Sequence, residues 1–397
     1  MMTRRNLITV AAGASWLGAA ELERRIAKRD FRGLTKEDLP TPSMILDLEL
    51  FEANLAKMAA HSRSSGLALR GHVKIHKSPE IAKRQIAQGG LGVCCATIAE
   101  CELMVNAAIK GVLFTCQPTG KQKIERSVAL AKRDSSFACV VDDAIVAKQL
   151  QEASAAAGTR LNLCVDVFAG LTRQGCSPGV TALAIAQQID KSKNLKLAGL
   201  MAYSGDASHT KTFEARKKKS MNDLAGMLET AELCKKSGLE VAIRTGGSTG
   251  TYNIDVGSLT ELQAGSFVFM DTAYMKIGGK GNDQAYEDFR PALTVMTTVI
   301  SKTRPGMCSI DAGNKATLRP TDQVKGRPEV KVENQGAEYG MLLWREGDRD
   351  YQVGERVELY PSNLDTSTNV FDRYYVARGD SIVDVWPIMG RSGAAQR

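Results

Sequence analysis

From about residue 42 to residue 270, short apolar runs alternate with longer stretches that have the periodicity of helices. The apolar runs are SMILDL, LALRGHVK, LGVCCA, VLFTC, FACVV, LNLCVDV, LKLAGLMAY and EVAIRTG. Strands that are apolar throughout and separated by helices are typical of a parallel sheet covered on both faces. Eight such units predict an α/β fold, a closed (β/α)8 barrel, over residues 38–280. A doubly wound open sheet is the alternative.

After residue 285 the pattern changes to apolar and polar residues in alternation, without long helical stretches. The segments that show it are LTVMTTVISKT, EVKVENQ, ERVELYPS and RYYVARGDSIVDVWPI. Alternation with a period of two predicts half-buried strands. We therefore expect an antiparallel β domain over residues 285–390.

The first twenty residues, MMTRRNLITVAAGASWLGAA, have a charged start, a short apolar stretch and small residues before Glu21. This is the pattern of an export signal, and the pair Arg4-Arg5 is typical of the twin-arginine type. The stretch is too short and too rich in Ala and Gly to span a bilayer. A periplasmic protein is therefore predicted, with an ordinary N-terminus in a cytoplasmic protein as the alternative.

The net charge of +8 raises the question of a nucleic-acid partner, but aromatic residues make up only 6% and the basic residues are dispersed. No nucleic-acid-binding motif is present. The one basic cluster, residues 216–219, is predicted to form the solvated face of a helix. The nine cysteines are odd in number and lie mostly in apolar runs, which favours buried thiols over disulfides.

The segment RGHVKIHKSPE places a lysine, Lys74, at the end of the second apolar run. Reactive groups of a barrel lie at the C-terminal ends of its strands, and burial lowers the pKa of a lysine, which favours imine formation. The alternative is a strand-end lysine that reaches solvent. His72 and Arg70 share its strand face, whereas His76 and Lys77 are assigned to the following loop, with Lys77 as a surface charge.

A second signal is RTGGSTGTY, residues 244–252, which follows an apolar strand directly. Three glycines with Ser248 and Thr249 form a turn whose backbone N–H groups can converge on an anion. Late loops of barrels commonly bind phosphate in this way. A plain flexible turn is the alternative.

Taken together, the segments RGHVKIHKSPEIA, GVCCATIAECE, VDVFAGLTRQG, GLMAYSG, TGGSTGTY, ELQAGSFVFMDTAY and DAGNKA resemble a known family. They are similar to the pyridoxal-phosphate enzymes of the alanine racemase-like barrel fold. The resemblance is greatest to the branch of D-threonine aldolase, 3-hydroxyaspartate aldolase and D-serine dehydratase. It covers about residues 38 to 390.

The resemblance implies a role for each matching residue. Lys74 would bind pyridoxal 5′-phosphate covalently, His72 would assist proton transfer, and Tyr203 would line the cofactor ring and the substrate. The remaining implied cofactor contacts are Gly246, Gly247, Ser248, Thr249, Gly250 and Tyr274 at the phosphate, Arg173 at the pyridine nitrogen, and Gln263 and Asp271 as supports. An arginine at the pyridine nitrogen disfavours its protonation and weakens the electron sink.

The chain departs from the family where a metal is expected. Metal-dependent relatives carry a histidine with an aspartate or cysteine in the C-terminal domain, and here Asn363 and Asp365 occupy those positions. Tyr339 replaces a second family histidine, and because no histidine follows His209, zinc bound through nitrogen ligands is excluded in that domain. The oxygens of Asn363 and Asp365 could bind Mg²⁺ or Mn²⁺, or only cap a loop.

Two further departures affect the substrate, because Ser204 stands where relatives often have histidine or glutamine and Phe168 replaces a usual acid. The resemblance implies a lyase that cleaves D-3-hydroxy amino acids to glycine and an aldehyde. The alternatives are a dehydratase of D-serine or 3-hydroxyaspartate, an amino-acid racemase, and a non-catalytic protein that binds the cofactor. The resemblance also implies a homodimer.

Overall fold

The computed structural model of this chain describes residues 17–345 and 347–391. The predicted export signal, residues 1–20, lies outside the described residues except for its last four positions, and it stays a prediction. No helix in the described part is long and apolar enough to cross a bilayer.

Seventeen strands and eleven α-helices make up the described part of the chain. The strands are β1 Ser43–Asp47, β2 Ala68–His72, β3 Gly92–Cys95, β4 Val112–Phe114, β5 Ala138–Val141, β6 Leu161–Asp166, β7 Leu195–Ala202, β8 Ile243–Gly246, β9 Glu261–Leu262, β10 Leu293–Arg304, β11 Met307–Ile310, β12 Gln323–Val324, β13 Lys331–Asn334, β14 Gly340–Leu343, β15 Arg356–Tyr360, β16 Arg373–Arg378 and β17 Ser381–Pro387. The helices are α1 Ala19–Ala27, α2 Leu48–Ser65, α3 Pro79–Ala87, α4 Ile98–Asn106, α5 Lys121–Arg133, α6 Ala144–Ala156, α7 Val180–Lys191, α8 Gly205–His209, α9 Phe213–Lys236, α10 Thr272–Met275 and α11 Leu364–Ser367.

Strands β2 to β9 form a closed barrel in which every neighbouring pair is parallel. The ladder between β2 and β9, with Leu69 opposite Leu262, closes the ring. Most of these strand residues are buried, because helices cover the outer face and side chains fill the inside. The prediction of a (β/α)8 barrel is confirmed, and the open sheet is excluded.

The assignment of the eight barrel strands was wrong at both ends. SMILDL forms β1, which lies outside the barrel, pairing with β10 in antiparallel and with β16 in parallel orientation. The eighth barrel strand is β9, whose two residues are too short to give an apolar run. Lys74 therefore follows the first barrel strand, not the second.

The second sheet has nine strands, of which seven follow in the order β13-β14-β11-β10-β1-β16-β17. Of the other two, β15 pairs with β10, and β12 pairs with β15. All of its pairs are antiparallel except β1 with β16, so the predicted antiparallel β domain is confirmed with one parallel exception. This sheet contacts the barrel beside the loop that carries Lys74, where the Tyr374 hydroxyl donates to the His76 carbonyl at 2.7 Å. The fold thus places residues 361–368 of the second domain over the strand ends of the barrel.

The basic run at residues 216–219 does not form a uniformly solvated face. Lys217 and Lys218 are exposed, but Arg216 is fully buried. Its guanidinium donates to five carbonyl oxygens, those of Thr210, Thr212, Gly250, Ile277 and Gly278, at 2.7 to 3.3 Å. Because each of the three guanidinium nitrogens donates to at least one carbonyl oxygen, the burial of Arg216 is compensated. All nine cysteines are free thiols and eight are buried, as predicted.

Candidate active site

A cavity of about 650 Å³, including its open mouth, lies at the C-terminal ends of the barrel strands. It brings together ten of the residues that the sequence singled out: His72, Lys74, Tyr203, Ser248, Thr249, Gln263, Asp271, Tyr274, Asn363 and Asp365. The second domain closes one side of it with Ser362, Asn363 and Asp365. The cavity therefore lies between the two domains at the end of a barrel that usually carries an active site.

Lys74 lies in a short 3-10 turn, Val73–Ile75, directly after β2. Its Nζ is 3.3 Å from Oδ2 of Asp365. Burial lowers the pKa of Lys74, but the attraction of Asp365 and Tyr203 outweighs it, so the pKa lies above its ordinary value. The expectation of a lowered pKa was wrong, because it took no account of a carboxylate from the second domain.

His72 is buried beside Lys74, and both of its ring nitrogens are engaged. Nδ1 accepts from the Lys74 N–H at 3.4 Å, and Nε2 lies 3.3 Å from Oγ1 of Thr115. The Thr115 hydroxyl donates to the Cys95 carbonyl, so Nε2 is the donor to Thr115. Burial lowers the pKa of His72 far below its usual range. A neutral imidazole with both nitrogens engaged orients the Lys74 turn and is poorly placed to transfer protons.

The glycine turn after β8 has the shape of an anion cradle. A methyl group on Gly246 would lie 1.9 Å from the Ala202 carbonyl oxygen, and one on Gly250 would lie 2.2 Å from that of Ser208. Gly247 has a φ of +69°, which other residues rarely adopt. Within the described residues, no acceptor engages the N–H groups of residues 247, 249 and 250. Backbone donors without an acceptor are what a phosphate group requires.

Side-chain hydrogen bonds fix this turn in place. Oγ1 of Thr249 accepts from the Phe267 N–H at 2.9 Å, and the buried Arg216 donates to the Gly250 carbonyl at 2.7 Å. The guanidinium therefore supports the turn from the side of α9 and adds a positive charge near it. This role of Arg216 could not be predicted from the sequence, because a run of four basic residues does not show which of them faces inward.

The remaining predicted contacts take supporting positions. The Gln263 amide donates to Oγ1 of Thr245 at 3.1 Å, and Asp271 caps α10 by accepting from the Tyr274 N–H at 3.0 Å. Burial raises the pKa of Asp271 to about 6. Arg173 does not line the cavity, since its exposed guanidinium lies 5.4 Å from the ring centroid of Tyr203. Its proposed contact with the pyridine nitrogen stays a prediction.

His209 lines the cavity, although it was not among the predicted site residues. It ends the short helix α8 after β7, and its ring lies 4.3 Å from that of Tyr274. Loss of hydration, and then the cation of Lys74, lower the pKa of His209, so its imidazole is neutral at pH 7. The chain has only four histidines, and this one follows the C-terminal end of a barrel strand, which is the signal that could have found it.

Asn363 and Asp365 both line the cavity, but they differ in their engagement. Oδ1 of Asn363 caps α11 by accepting from the Thr366 N–H at 3.1 Å. Oδ1 of Asp365 is buried without a hydrogen-bond partner. Among residues 17–345 and 347–391, no three His, Cys, Asp or Glu side chains cluster as a metal site would require. Asp365 thus has one carboxylate oxygen without a hydrogen-bond partner, whereas the amide oxygen of Asn363 already accepts a hydrogen bond.

The other departures from the family pattern, Ser204, Phe168 and Tyr339, are not among the residues that line the cavity. Ser204 is buried and donates to the Asp223 carboxylate, and it also caps α8. Phe168 and Tyr339 are large side chains that remain 38% and 53% exposed. Ser204 is therefore committed to structure, while the two aromatic residues are available on the surface.

Two carboxyl groups anchor the loop that carries Arg173. Asp142 accepts from the Gly175 N–H at 2.9 Å, and Asp166 accepts from the side-chain amide of Gln174 at 2.7 Å. Burial, and then the neighbouring charge of Asp142, raise the pKa of Asp166 to about 8. The pKa of an Asp carboxyl in the unfolded chain is about 4. At pH values between about 4 and 8, folding is therefore accompanied by the uptake of a proton at Asp166.

We expect Asp166→Asn to flatten the pH dependence of stability. In the parent protein, this raised pKa contributes stability that is complete below about pH 4 and is lost as the pH rises through about 8, with a slope of about 1.4 kcal/mol per pH unit. Urea unfolding at pH 5, 6, 7 and 8 measures the slope. Asp190→Asn, at an exposed position in α7, is the control. Equal slopes in the parent and Asp166→Asn would contradict the prediction.

Comparison with known proteins agrees with this geometry. Residues 46–273 match the model of the alanine racemase N-terminal domain, and residues 292–377 match that of a putative serine dehydratase domain. The chain is 33% identical to 3-hydroxy-D-aspartate aldolase of Paracoccus denitrificans (strain Pd 1222), over 90% of this chain and 94% of that one. It is 34% identical to D-threonine aldolase of an Arthrobacter species, over 88% of this chain and 92% of that one.

A solved structure shows the same arrangement of domains. The crystal structure of D-threonine aldolase from Filomicrobium marinum superposes with a TM-score of 0.85 at 32% identity, covering 90% of this chain and 96% of that one. Both domains and the cavity between them fall inside these matches. The chain therefore belongs to the alanine racemase-like family of fold-type III, in the branch that contains D-threonine aldolase and 3-hydroxyaspartate aldolase.

Proposed function

We propose that this protein is a lyase that uses pyridoxal phosphate to cleave the Cα–Cβ bond of D-3-hydroxy amino acids, giving glycine and an aldehyde. The observation that carries the proposal is one cavity that is lined together by Lys74, by Ser248 and Thr249 of the glycine turn, and by His209. The relatives at 33 and 34% identity support cleavage over dehydration, because both are aldolases by name.

The residues present fit the cofactor. Lys74 would hold pyridoxal phosphate through its amine, and the bound cofactor would supply an acceptor for the electron pair that the breaking Cα–Cβ bond releases. The N–H groups of residues 247, 249 and 250, with the hydroxyls of Ser248 and Tyr274, would hold its phosphate. The turn residues need no rearrangement for this, because those N–H groups have no acceptor within the described part of the protein.

The cleavage also needs a base that removes the proton of the substrate's β-hydroxyl. We assign this role to His209, because it is the cavity histidine whose ring nitrogens make no hydrogen bond within the described residues, in contrast to His72. Its lowered pKa keeps the imidazole neutral, which is the form that accepts a proton.

We expect His209→Asn to lower kcat by about 10²- to 10⁴-fold, the usual contribution of a general base. Cofactor binding should weaken only slightly, because within the described residues His209 makes no hydrogen bond to the glycine turn, and its contact with the phosphate site is the packing of its ring against Tyr274. In the parent, kcat should fall only below about pH 6.5, since the pKa of His209 lies under its ordinary value. His61→Asn, outside the cavity, is the control. A His209→Asn variant with parental kcat would remove the assignment.

A divalent cation is a second part of the proposal. Asp365 and Asn363 offer two oxygens to Mg²⁺ or Mn²⁺, which bind such ligands, and the free Oδ1 of Asp365 is the better donor. The Asp365 carboxylate pairs with the Lys74 amine, and it would become free to bind a cation if that amine were committed to the cofactor. Two protein ligands of which one caps a helix predict weak binding.

We expect Asn363→His to tighten the binding of Mn²⁺ by at least about tenfold, because imidazole is a stronger ligand than a carboxamide for this ion class. Titration calorimetry of the cofactor-loaded protein measures the affinity. Loss of the α11 cap should cost about 1 kcal/mol of stability at the same time. Asp365→Ala is expected to abolish binding in both backgrounds, and unchanged affinity in Asn363→His would refute the site.

The assembly and the location are also proposals. We propose a homodimer in which Phe168 and Tyr339 lie in the contact, because both are large aromatic side chains that remain exposed. Light scattering of the parent and of a Phe168→Ser, Tyr339→Ser variant tests it. Export to the periplasm rests on residues 1–20 alone, and a reporter fused after residue 20 tests it.

The experiment that decides the main proposal has two steps. Borohydride reduction followed by peptide mapping identifies the lysine that carries the cofactor, and it must separate Lys74 from Lys77. The enzyme is then assayed with D- and L-3-hydroxy amino acids, with product analysis for glycine, for a 2-oxo acid with ammonia, and for the inverted amino acid. Glycine supports the aldolase, whereas the other products identify the dehydratase or the racemase. A trapped cofactor without any product indicates a non-catalytic binding protein.

A further inference from the structure

Lys77 is a buried cation next to the predicted cofactor lysine. Only 5% of it is exposed, although its place in the loop before α3 predicted a surface charge. Its backbone has a φ of +52°, which is uncommon for a residue other than glycine. Its own carbonyl accepts from the N–H groups of Met389 and Gly390 at 3.0 Å each. The loop is therefore fixed to the second domain at this residue.

The side chain of Lys77 joins the two domains a second time. Its ammonium donates to the carbonyl of Lys74 at 2.6 Å, to the carbonyl of Asp365 at 3.0 Å and to Oγ1 of Thr368 at 3.0 Å. An ammonium has three N–H donors, so these three acceptors satisfy it completely. Within the described residues, the Lys77 ammonium is the one group that hydrogen-bonds both Lys74 and Asp365. These two residues carry the amine and the carboxylate that face each other in the cavity.

The surrounding charges hold Lys77 in place without forming a direct ion pair. Burial lowers its pKa, and the carboxylates of Glu100 and Asp365 oppose that effect. Glu100 is itself buried and accepts from the Ala96 N–H at 2.8 Å. A buried lysine is costly, and an apolar side chain in its place would leave three acceptors without a donor. The arrangement is thus specific to a donor with three hydrogens.

We propose that Lys77 is a positioning residue, which sets the distance between the Lys74 side chain and the Asp365 carboxylate by hydrogen-bonding the main chains of both. The inference rests on the proposed function, since it concerns the geometry around the same cofactor lysine. Lys77 would therefore act through the pair of the Lys74 amine and the Asp365 carboxylate, without touching substrate or cofactor. A shift of about 1 Å at a reacting group can cost about a hundredfold in rate, so loss of this link should be visible in kcat.

A double-mutant cycle with Lys77→Met and Asp365→Asn on the cofactor-loaded enzyme tests the proposal. We expect Lys77→Met to lower kcat by about ten- to a hundredfold when Asp365 is present. In the Asp365→Asn background the same change should cost less than about twofold, because the group that Lys77 positions has already lost its charge. Equal losses in both backgrounds, or no loss in the first, would overturn the inference.

A second readout does not depend on turnover. The absorbance of the bound cofactor is titrated with pH, and its midpoint in Lys77→Met should move toward that of Asp365→Asn. An unshifted midpoint in a well-folded Lys77→Met protein would show a purely structural role for Lys77. If Lys77→Met does not fold, Thr368→Val removes one of the three acceptors with little change in shape. It should give smaller effects of the same sign, again only when Asp365 is present, and parental behaviour of Thr368→Val would then overturn the inference.

Failure of this inference can be told apart from failure of the proposed function. If the parent traps the cofactor on Lys74 and cleaves the substrate, but the cycle is additive, only the role of Lys77 is wrong. If borohydride labels no lysine in the parent, the proposed function itself is wrong. Lys83→Met, on the exposed side of α3, is the matched control and should leave both readouts unchanged.

Discussion

Lys74→Ala is expected to abolish the covalent attachment of pyridoxal phosphate and to lower kcat by about a thousandfold or more. The reason is that the side chain supplies the amine to which the cofactor links, and no other lysine lines the cavity among the described residues. The absorbance of the purified protein, borohydride labelling and the rate of glycine formation measure the effect. The folded structure should persist, because among the described residues the Lys74 side chain makes one hydrogen bond, the 3.3 Å pair with Asp365.

Lys218→Ala, at an exposed position on α9, is the control and should behave as the parent does. A Lys74→Ala protein that keeps its colour would require labelling at another lysine. Lys77 is the nearest candidate in sequence, but its ammonium is already committed to three acceptors. Retention of both label and turnover in Lys74→Ala would contradict the proposed function.

The second large effect is expected at Arg216. We expect Arg216→Met to lower the free energy of unfolding by about 3–5 kcal/mol, because five carbonyl oxygens lose the group that satisfies them. This is a large share of the 5–15 kcal/mol that stabilises a typical domain. Urea denaturation measures it, and affinity for pyridoxal phosphate should fall together with stability, since the Gly250 carbonyl is one of the five acceptors.

Arg216→Lys should recover only part of the stability, because an ammonium has three donors where the guanidinium has five. Lys217→Met is the matched control, since the neighbouring side chain is exposed on the same helix. Equal stability of Arg216→Met and Lys217→Met would show that the five hydrogen bonds contribute nothing.

The barrel could be predicted because its strands are apolar throughout and separated by helices. Which strands are the first and the last of the barrel could not be predicted. An apolar run shows that a strand is buried and does not show its partner, so β1 was placed in the barrel although it pairs with β10 and β16. The opposite error occurred at β9, where two residues leave no periodic signal. Pairing between distant segments of a chain is decided by packing of the whole fold.

The site could be predicted in part for a similar reason. Lys74 and the glycine turn could be found because each follows a strand, and strand ends of a barrel converge. His209 was missed, although it also follows a strand. The surroundings of Lys74 and Lys77 could not be derived, because Asp365 and Thr368 approach from the other domain. The predicted direction of the pKa shift at Lys74 was therefore wrong, because the pKa is raised and not lowered.

The pairing of β1 has a consequence for how the protein is made. This strand emerges early from the ribosome, yet its two neighbours, β10 and β16, are synthesised after the whole barrel. Until then both of its edges are bare, and bare edges pair readily with other molecules. A truncated chain that stops near residue 280 should therefore aggregate. A fragment of the second domain would need residues 43–47 to complete its sheet, either fused at its start or added as a separate peptide.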